Sequence, residues 1–116
     1  MAHSIDVEIV MANLLRHKDK ITLKEIVETS ERLTTEIPGI YISASNRTIF
    51  GGIEYFPEMF EWNSQEHVVK RIVGSERYYS SDALENKFNY NIPLAVKEQF
   101  LKLFELDGTC TGVSRE

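Results

Sequence analysis

The chain is predicted to be a mainly helical α+β domain with a small antiparallel β-ribbon. Three observations predict it. Val7, Val10, Met11, Leu14 and Leu15 recur at i, i+3, i+4, i+7 and i+8, a complete helical apolar stripe over residues 5–18. Thr22-Leu-Lys-Glu25 carries the spacing of a helix-opening capping box and leads into a second apolar pattern. Pro57 halts any helix before it, and two apolar-rich segments follow, residues 59–63 and 67–73, joined by Ser64-Gln65-Glu66.

At 116 residues the chain is one domain by size, and its 42% hydrophobic and 27% charged composition is that of an ordinary globular protein. No apolar run approaches the roughly 20 residues of a membrane span, and the Met-Ala-His-Ser-Ile-Asp start lacks the build of a secretory signal. Cys110 is the only cysteine, so neither an intrachain disulfide nor a cysteine metal cluster is available. These features point to a cytoplasmic protein. The net charge of −5 argues against a generic nucleic-acid binder, although whole-chain charge does not define a local face.

Along the chain, Ser4 or Asp6 is placed to cap the first helix, and Arg16, His17 and Lys18 suit the negative end of its dipole. Ile21 can make one edge-strand pairing. In the second helix Leu23, Ile26, Val27 and Leu33 form the buried side, and Glu25, Glu28, Glu31 and Glu36 a solvated one. Ile37-Pro38-Gly39 is a turn, and Ile40, Ile42 and Ala44 alternate as a short strand. Ser43 or Ser45 then caps a third helix with Ile49, Ile53 and Phe56 on one side. Gly51-Gly52 opposes that helix by roughly 2 kcal/mol relative to two alanines. The alternative is a β-meander within residues 40–63, with strands at 40–44, 47–50 and 53–56 and a Gly-Gly hairpin turn. If the helix forms, the glycines permit close approach to a neighbour.

Beyond the ribbon, Ser81 or Asp82 caps a short helix through Phe88. Pro93 sits near the first turn of a last helix ending about Leu106. Val96, Phe100, Leu103 and Phe104 form its inner face and Leu101 widens it; such a helix either closes the core or pairs with its twin in a homodimer. The domain is expected over residues 1–106, with 107–116 a polar, flexible tail.

No motif carries enzyme chemistry. There is no phosphate-binding glycine loop, His-Glu-x-x-His pair or Gly-x-Ser-x-Gly elbow. His3, His17 and His67 lack ligand spacing, Glu54, Glu58 and Glu61 read as a solvated side, and Cys110 lacks an evident base. A non-enzymatic protein without metal or cofactor is expected.

The order of elements over residues 5–73 (helix, brief strand, capped helix, turn, helix, ribbon) resembles the winged helix-turn-helix superfamily. The resemblance implies a transcriptional regulator that binds double-stranded DNA, with the third helix in the major groove and the wing on the adjacent backbone. It implies that Ser45, Asn46 and Arg47 open the recognition helix, with Arg47 suited to a guanine edge and Asn46 to an adenine. Lys70 and Arg71 on the second wing strand would meet phosphates. The chain departs from the family in charge: between residues 43 and 73 Arg47, Lys70 and Arg71 face Glu54, Glu58, Glu61 and Glu66. A second expectation is therefore an acidic protein-interaction adaptor or inhibitor, of the kind a phage or other mobile element encodes, with Phe50 and Tyr55 as aromatic anchors for a protein partner.

Overall fold

The computed structural model describes residues 3–88 and 93–106, without the side chains of Ser81 and of residues 104–106. Its first strand, β1 (His3–Ile5), leads directly into α1 (Val7–Leu15). All residues of α1 except Glu8 are buried. The apolar stripe thus extends right round the helix: Ile9 and Ala12 join it, as does Asn13, whose Nδ2 donates to the Ile9 carbonyl at 2.8 Å. A helix enclosed on every side lies at the centre of its domain. Around α1 pack α2 (Leu23–Glu36), α3 (Asn46–Tyr55) and β2 (Lys20–Thr22).

The expected capping box of α2 is present. Thr22 Oγ1 accepts from the Glu25 amide at 3.0 Å, and the Glu25 carboxylate accepts from the Thr22 amide at 3.3 Å. Ile26 and Leu33 of α2 are buried against α1. The Pro38-Gly39 turn follows, with Gly39 at φ +91°, and then β3 (Ile40–Ile42). β3 pairs in parallel with β1, His3 opposite Ile40 and Ile5 opposite Ile42.

Residues 46–55 form a helix, so the meander is not adopted. Ser45 caps α3 through a capping box with Thr48, while the Thr48 hydroxyl also donates to the Ser43 carbonyl at 2.8 Å. Ile49 and Ile53 are buried at i, i+4 spacing. The two glycines differ in place: Gly51 is exposed, whereas Gly52 is buried against Glu8 of α1. A Cβ at Gly52 would lie 2.5 Å from Glu8 Cγ, inside any real contact distance. The half-buried Glu8 has its pKa raised, first by desolvation and also by the like charge of Asp6, against a lowering backbone hydrogen bond.

After Pro57, β4 (Phe60–Asn63) and β5 (Val68–Arg71) form the ribbon. β5 is central in an antiparallel sheet of order β2-β5-β4, with Ile21 opposite Val69 and Val69 opposite Trp62. The loop between β4 and β5 is held by Asn63, whose Oδ1 accepts from the Glu66 amide and whose carbonyl accepts from the His67 amide, both at 2.8 Å. His67 takes the left-handed position at φ 59°.

A single 3-10 turn (Glu76–Tyr78) leads to α4 (Ser81–Lys87). Its cap is Ser80, accepting from the Ala83 amide at 3.1 Å, and not Ser81 or Asp82 as the sequence suggested. The last helix, α5 (Leu94–Leu106), places Phe100 in the core, with Val96, Leu101 and Leu103 partly buried against it. The side chain of Phe104 and the expected 107–116 tail lie outside the described residues. No described helix is long and apolar enough to cross a membrane.

Two predictions follow from the α1–α3 contact. Gly51→Ala meets nothing within 4 Å, so it should raise thermal stability by about 1 kcal/mol through helix propensity. Gly52→Ala should instead fall at least about 1 kcal/mol below Gly51→Ala because of the overlap with Glu8, and adding Glu8→Ala should remove that difference. Circular-dichroism melts of the variants check both.

The raised pKa of Glu8 sets a pH dependence. The folded protein holds this proton more tightly than the unfolded chain, so the contribution is fully present below the unfolded carboxylate range. It is lost as pH rises through the folded pKa. Glu8→Gln, which cannot ionise, should therefore melt above the wild type at neutral pH, and the gap should close on acidification. A melting series against pH measures it.

Candidate interaction surface

The first turn of α3 and the β4–β5 ribbon lie on consecutive segments of chain. With Ile49, Gly52 and Ile53 buried, the exposed positions of α3 are Asn46, Arg47, Gly51, Glu54 and Tyr55. Ser45 is exposed too, but its hydroxyl accepts from the Thr48 amide at 3.3 Å and so serves the cap. Arg47 forms no ion pair among the described residues.

Phe50 is half-buried and ties α3 to the ribbon. Its ring meets Trp62 edge-on, with centroids 4.9 Å apart and planes at 85°, and Trp62 in turn meets His67 at 6.0 Å. Tyr55 is 76% exposed, with its ring 4.9 Å from that of Phe56. Of the two proposed aromatic anchors, Tyr55 stands in solvent and Phe50 belongs to an internal aromatic contact.

The ribbon separates Lys70 from Arg71. Adjacent residues of a strand point to opposite faces. Arg71 shares its face with buried Val69 and Phe60, and reaches the C-terminal end of α1. There its Nη1 donates to the carbonyls of Leu15 and Lys18, and its Nη2 to Asp19 Oδ1 at 3.0 Å. Its guanidinium carbon also lies 5.9 Å from the ring centre of Tyr79. Burial raises the pKa of that tyrosine, the Arg71 charge opposes the rise, and the hydroxyl donates to the Met59 carbonyl at 2.8 Å.

Lys70 lies on the opposite face, beside Lys20 of β2 and Glu61 of β4 in register. Glu66 sits between the two lysines, 2.7 Å from Lys20 Nζ and 3.7 Å from Lys70 Nζ. Its pKa is lowered, mainly by the Lys20 hydrogen bond, and that same bond is the main reason the Lys20 pKa is raised. The sequence reading did not single out Lys20; a cation on an edge strand that pairs with the ribbon was the available signal. On this face the cations Lys20 and Lys70 are offset by Glu61 and Glu66.

On α5, Phe100 is fully enclosed and takes no part in any exposed stripe, whereas Leu94 is 64% exposed. Among the described residues no group of three or more His, Cys, Asp or Glu is placed to hold a metal ion. Comparisons with protein-family models, characterised proteins and solved structures find no match.

The contrast between neighbours on β5 is testable. Arg71→Met should cost about 2–3 kcal/mol, the worth of charged hydrogen bonds to the Leu15 and Lys18 carbonyls. Lys70→Met should shift stability by no more than about 0.5 kcal/mol, since its ion pair is at the surface. Urea unfolding of the two variants separates them.

Proposed function

We propose that the domain is a winged-helix module that binds duplex DNA in a regulatory role, with α3 as its reading helix and β4–β5 as its wing. The observation that carries this reading is the arrangement itself. A three-helix core presents the capped, exposed start of α3 beside a two-stranded ribbon, and the strand between α1 and α2 completes the ribbon's sheet in the order β2-β5-β4. A helix that enters the major groove by its first turn contacts base edges with the residues found there, here Asn46 and Arg47. Lys70, with Lys20 beside it, supplies the phosphate contact on the wing. Arg71 supports the ribbon from within through the carbonyls of Leu15, the last residue of α1, and of Lys18 in the connection that follows. Pairing of two half-sites calls for a homodimer, for which α5 retains the exposed Leu94 and the partly buried Leu101 and Leu103.

A protein-binding module is the second reading, favoured by one specific observation. Lys20 and Lys70 are matched by Glu66, and α3 exposes one large hydrophobic side chain, Tyr55, beside Glu54. Aromatic side chains of this kind anchor protein interfaces at little entropic cost.

Titration against random duplex DNA at low and moderate salt separates the readings. On the DNA reading, log K falls linearly with log salt, and Lys70→Ala reduces the slope by about 1. Arg47→Ala then weakens binding to a selected operator more than to random duplex. Absence of binding even at low salt transfers the assignment to the protein-binding reading. A monomer mass by light scattering at micromolar concentration removes the dimer.

A further inference from the structure

Lys20 of β2 and Lys70 of β5 stand directly opposite each other in the antiparallel register, so two like charges meet at one cross-strand position. Such a pair is unfavourable unless an anion lies between the cations. Asp19, beside Lys20 in sequence, is engaged by Arg71 at 3.0 Å. The bridging anion is instead Glu66, which reaches over from the β4–β5 loop. Its Oε1 accepts from Lys20 Nζ at 2.7 Å, and its Oε2 lies 3.7 Å from Lys70 Nζ. One carboxylate therefore offers one oxygen to each ammonium group. A phosphodiester, with two free anionic oxygens, would meet the same two lysines in the same way.

The bridge is built so that it can open without any change of fold. The loop backbone is held by Asn63, whose Oδ1 accepts from the Glu66 amide and whose carbonyl accepts from the His67 amide. Only the Glu66 side chain has to swing, and it is 42% exposed. An exposed side chain changes rotamer within picoseconds to nanoseconds. The Glu66 pKa is lowered, first by the Lys20 hydrogen bond, so at neutral pH the carboxylate leaves by displacement and not by protonation. Exposed ion pairs are weak and screened by salt. A duplex, with its closely spaced phosphates, is the kind of polyanion that competes with one.

Resting on the DNA-binding reading above, we propose that Glu66 is an autoinhibitory phosphate surrogate. It occupies the Lys20–Lys70 contact in the free protein and is displaced from it by a backbone phosphate of the duplex. Docking of the wing exchanges an internal bridge for an external one, and the exchange holds the affinity below what two free lysines would give. Glu66 thus sets the threshold for binding, while Asn46 and Arg47 on α3 set the preference for sequence.

The test is fluorescence anisotropy of the full chain against a labelled random-sequence duplex over a salt series. Glu66→Gln removes the charge and keeps the shape of the side chain. It should tighten binding about fivefold at low salt. It should also steepen the fall of log K with log salt by about 1, because the lysine pair then meets phosphate with its full charge. Glu61→Gln controls for net charge alone, since Glu61 lies opposite Lys70 in register but outside the bridge; it should tighten binding less than about twofold. With Lys20→Met and Lys70→Met in place, Glu66→Gln should do no more than Glu61→Gln. If the wild type binds and Glu66→Gln binds no tighter, the surrogate is overturned and the DNA-binding reading stands. The same holds if Glu61→Gln tightens binding as much as Glu66→Gln. No binding by either the wild type or Glu66→Gln at low salt overturns both.

Discussion

Enclosure of α1 is the constraint from which the rest of the molecule follows. A nine-residue helix cannot sustain itself in water, so α1 exists because α2, α3 and β2 bury it. Removing a leucine such as Leu14 or Leu15 from its middle would cost about 2–5 kcal/mol, a large part of the stability of a small domain. The two ends of the helix are managed differently. At its start the chain arrives from β1, whose parallel pairing with β3 fixes the approach. At its end Arg71 reaches in from β5 and satisfies the Leu15 and Lys18 carbonyls. One side chain thus holds both the central helix and the ribbon.

The position of α3 depends on two contacts of opposite character. On the inner side, Gly52 allows the Glu8 side chain of α1 to lie against the helix backbone. On the outer side, Phe50 meets Trp62 edge-on and so relates the helix to the ribbon. A surface built on a helix held at both flanks is presented rigidly, which is what precise recognition needs. The exposed residues, Asn46, Arg47, Glu54 and Tyr55, stand outside the core.

Charge is distributed so that the ribbon neutralises itself. Lys20 and Lys70 share Glu66, Arg71 faces Asp19, and Lys87 pairs with Glu58 at 2.6 Å. The Glu66 pairs are at the surface and contribute little to stability, so their effect is on the field the surface presents. Arg47 lies apart from these pairs, at the point where α3 begins. A surface on which cations and carboxylates balance has weak long-range steering. On the proposed reading, recognition there has to come from short-range geometry.

Local chemistry is what the sequence by itself determined. The apolar periodicity of α1, the Thr22–Glu25 capping box and the break at Pro57 each act within a few residues, so they read the same in the chain and in the fold. Three features were decided only by tertiary structure. Gly51-Gly52 allowed either a hairpin turn or a helix; burial of Ile49 and Ile53 against α1, and the seat that Gly52 offers Glu8, selected the helix. The three-residue strand β1 carries almost no local signal, and its pairing with β3, which the alternation at residues 40–44 did announce, joins residues far apart in sequence. Lys70 and Arg71 are adjacent cations of equal formal charge. The pleat of β5 sent one to solvent and the other to the end of α1, because only the assembled sheet defines which face is inside.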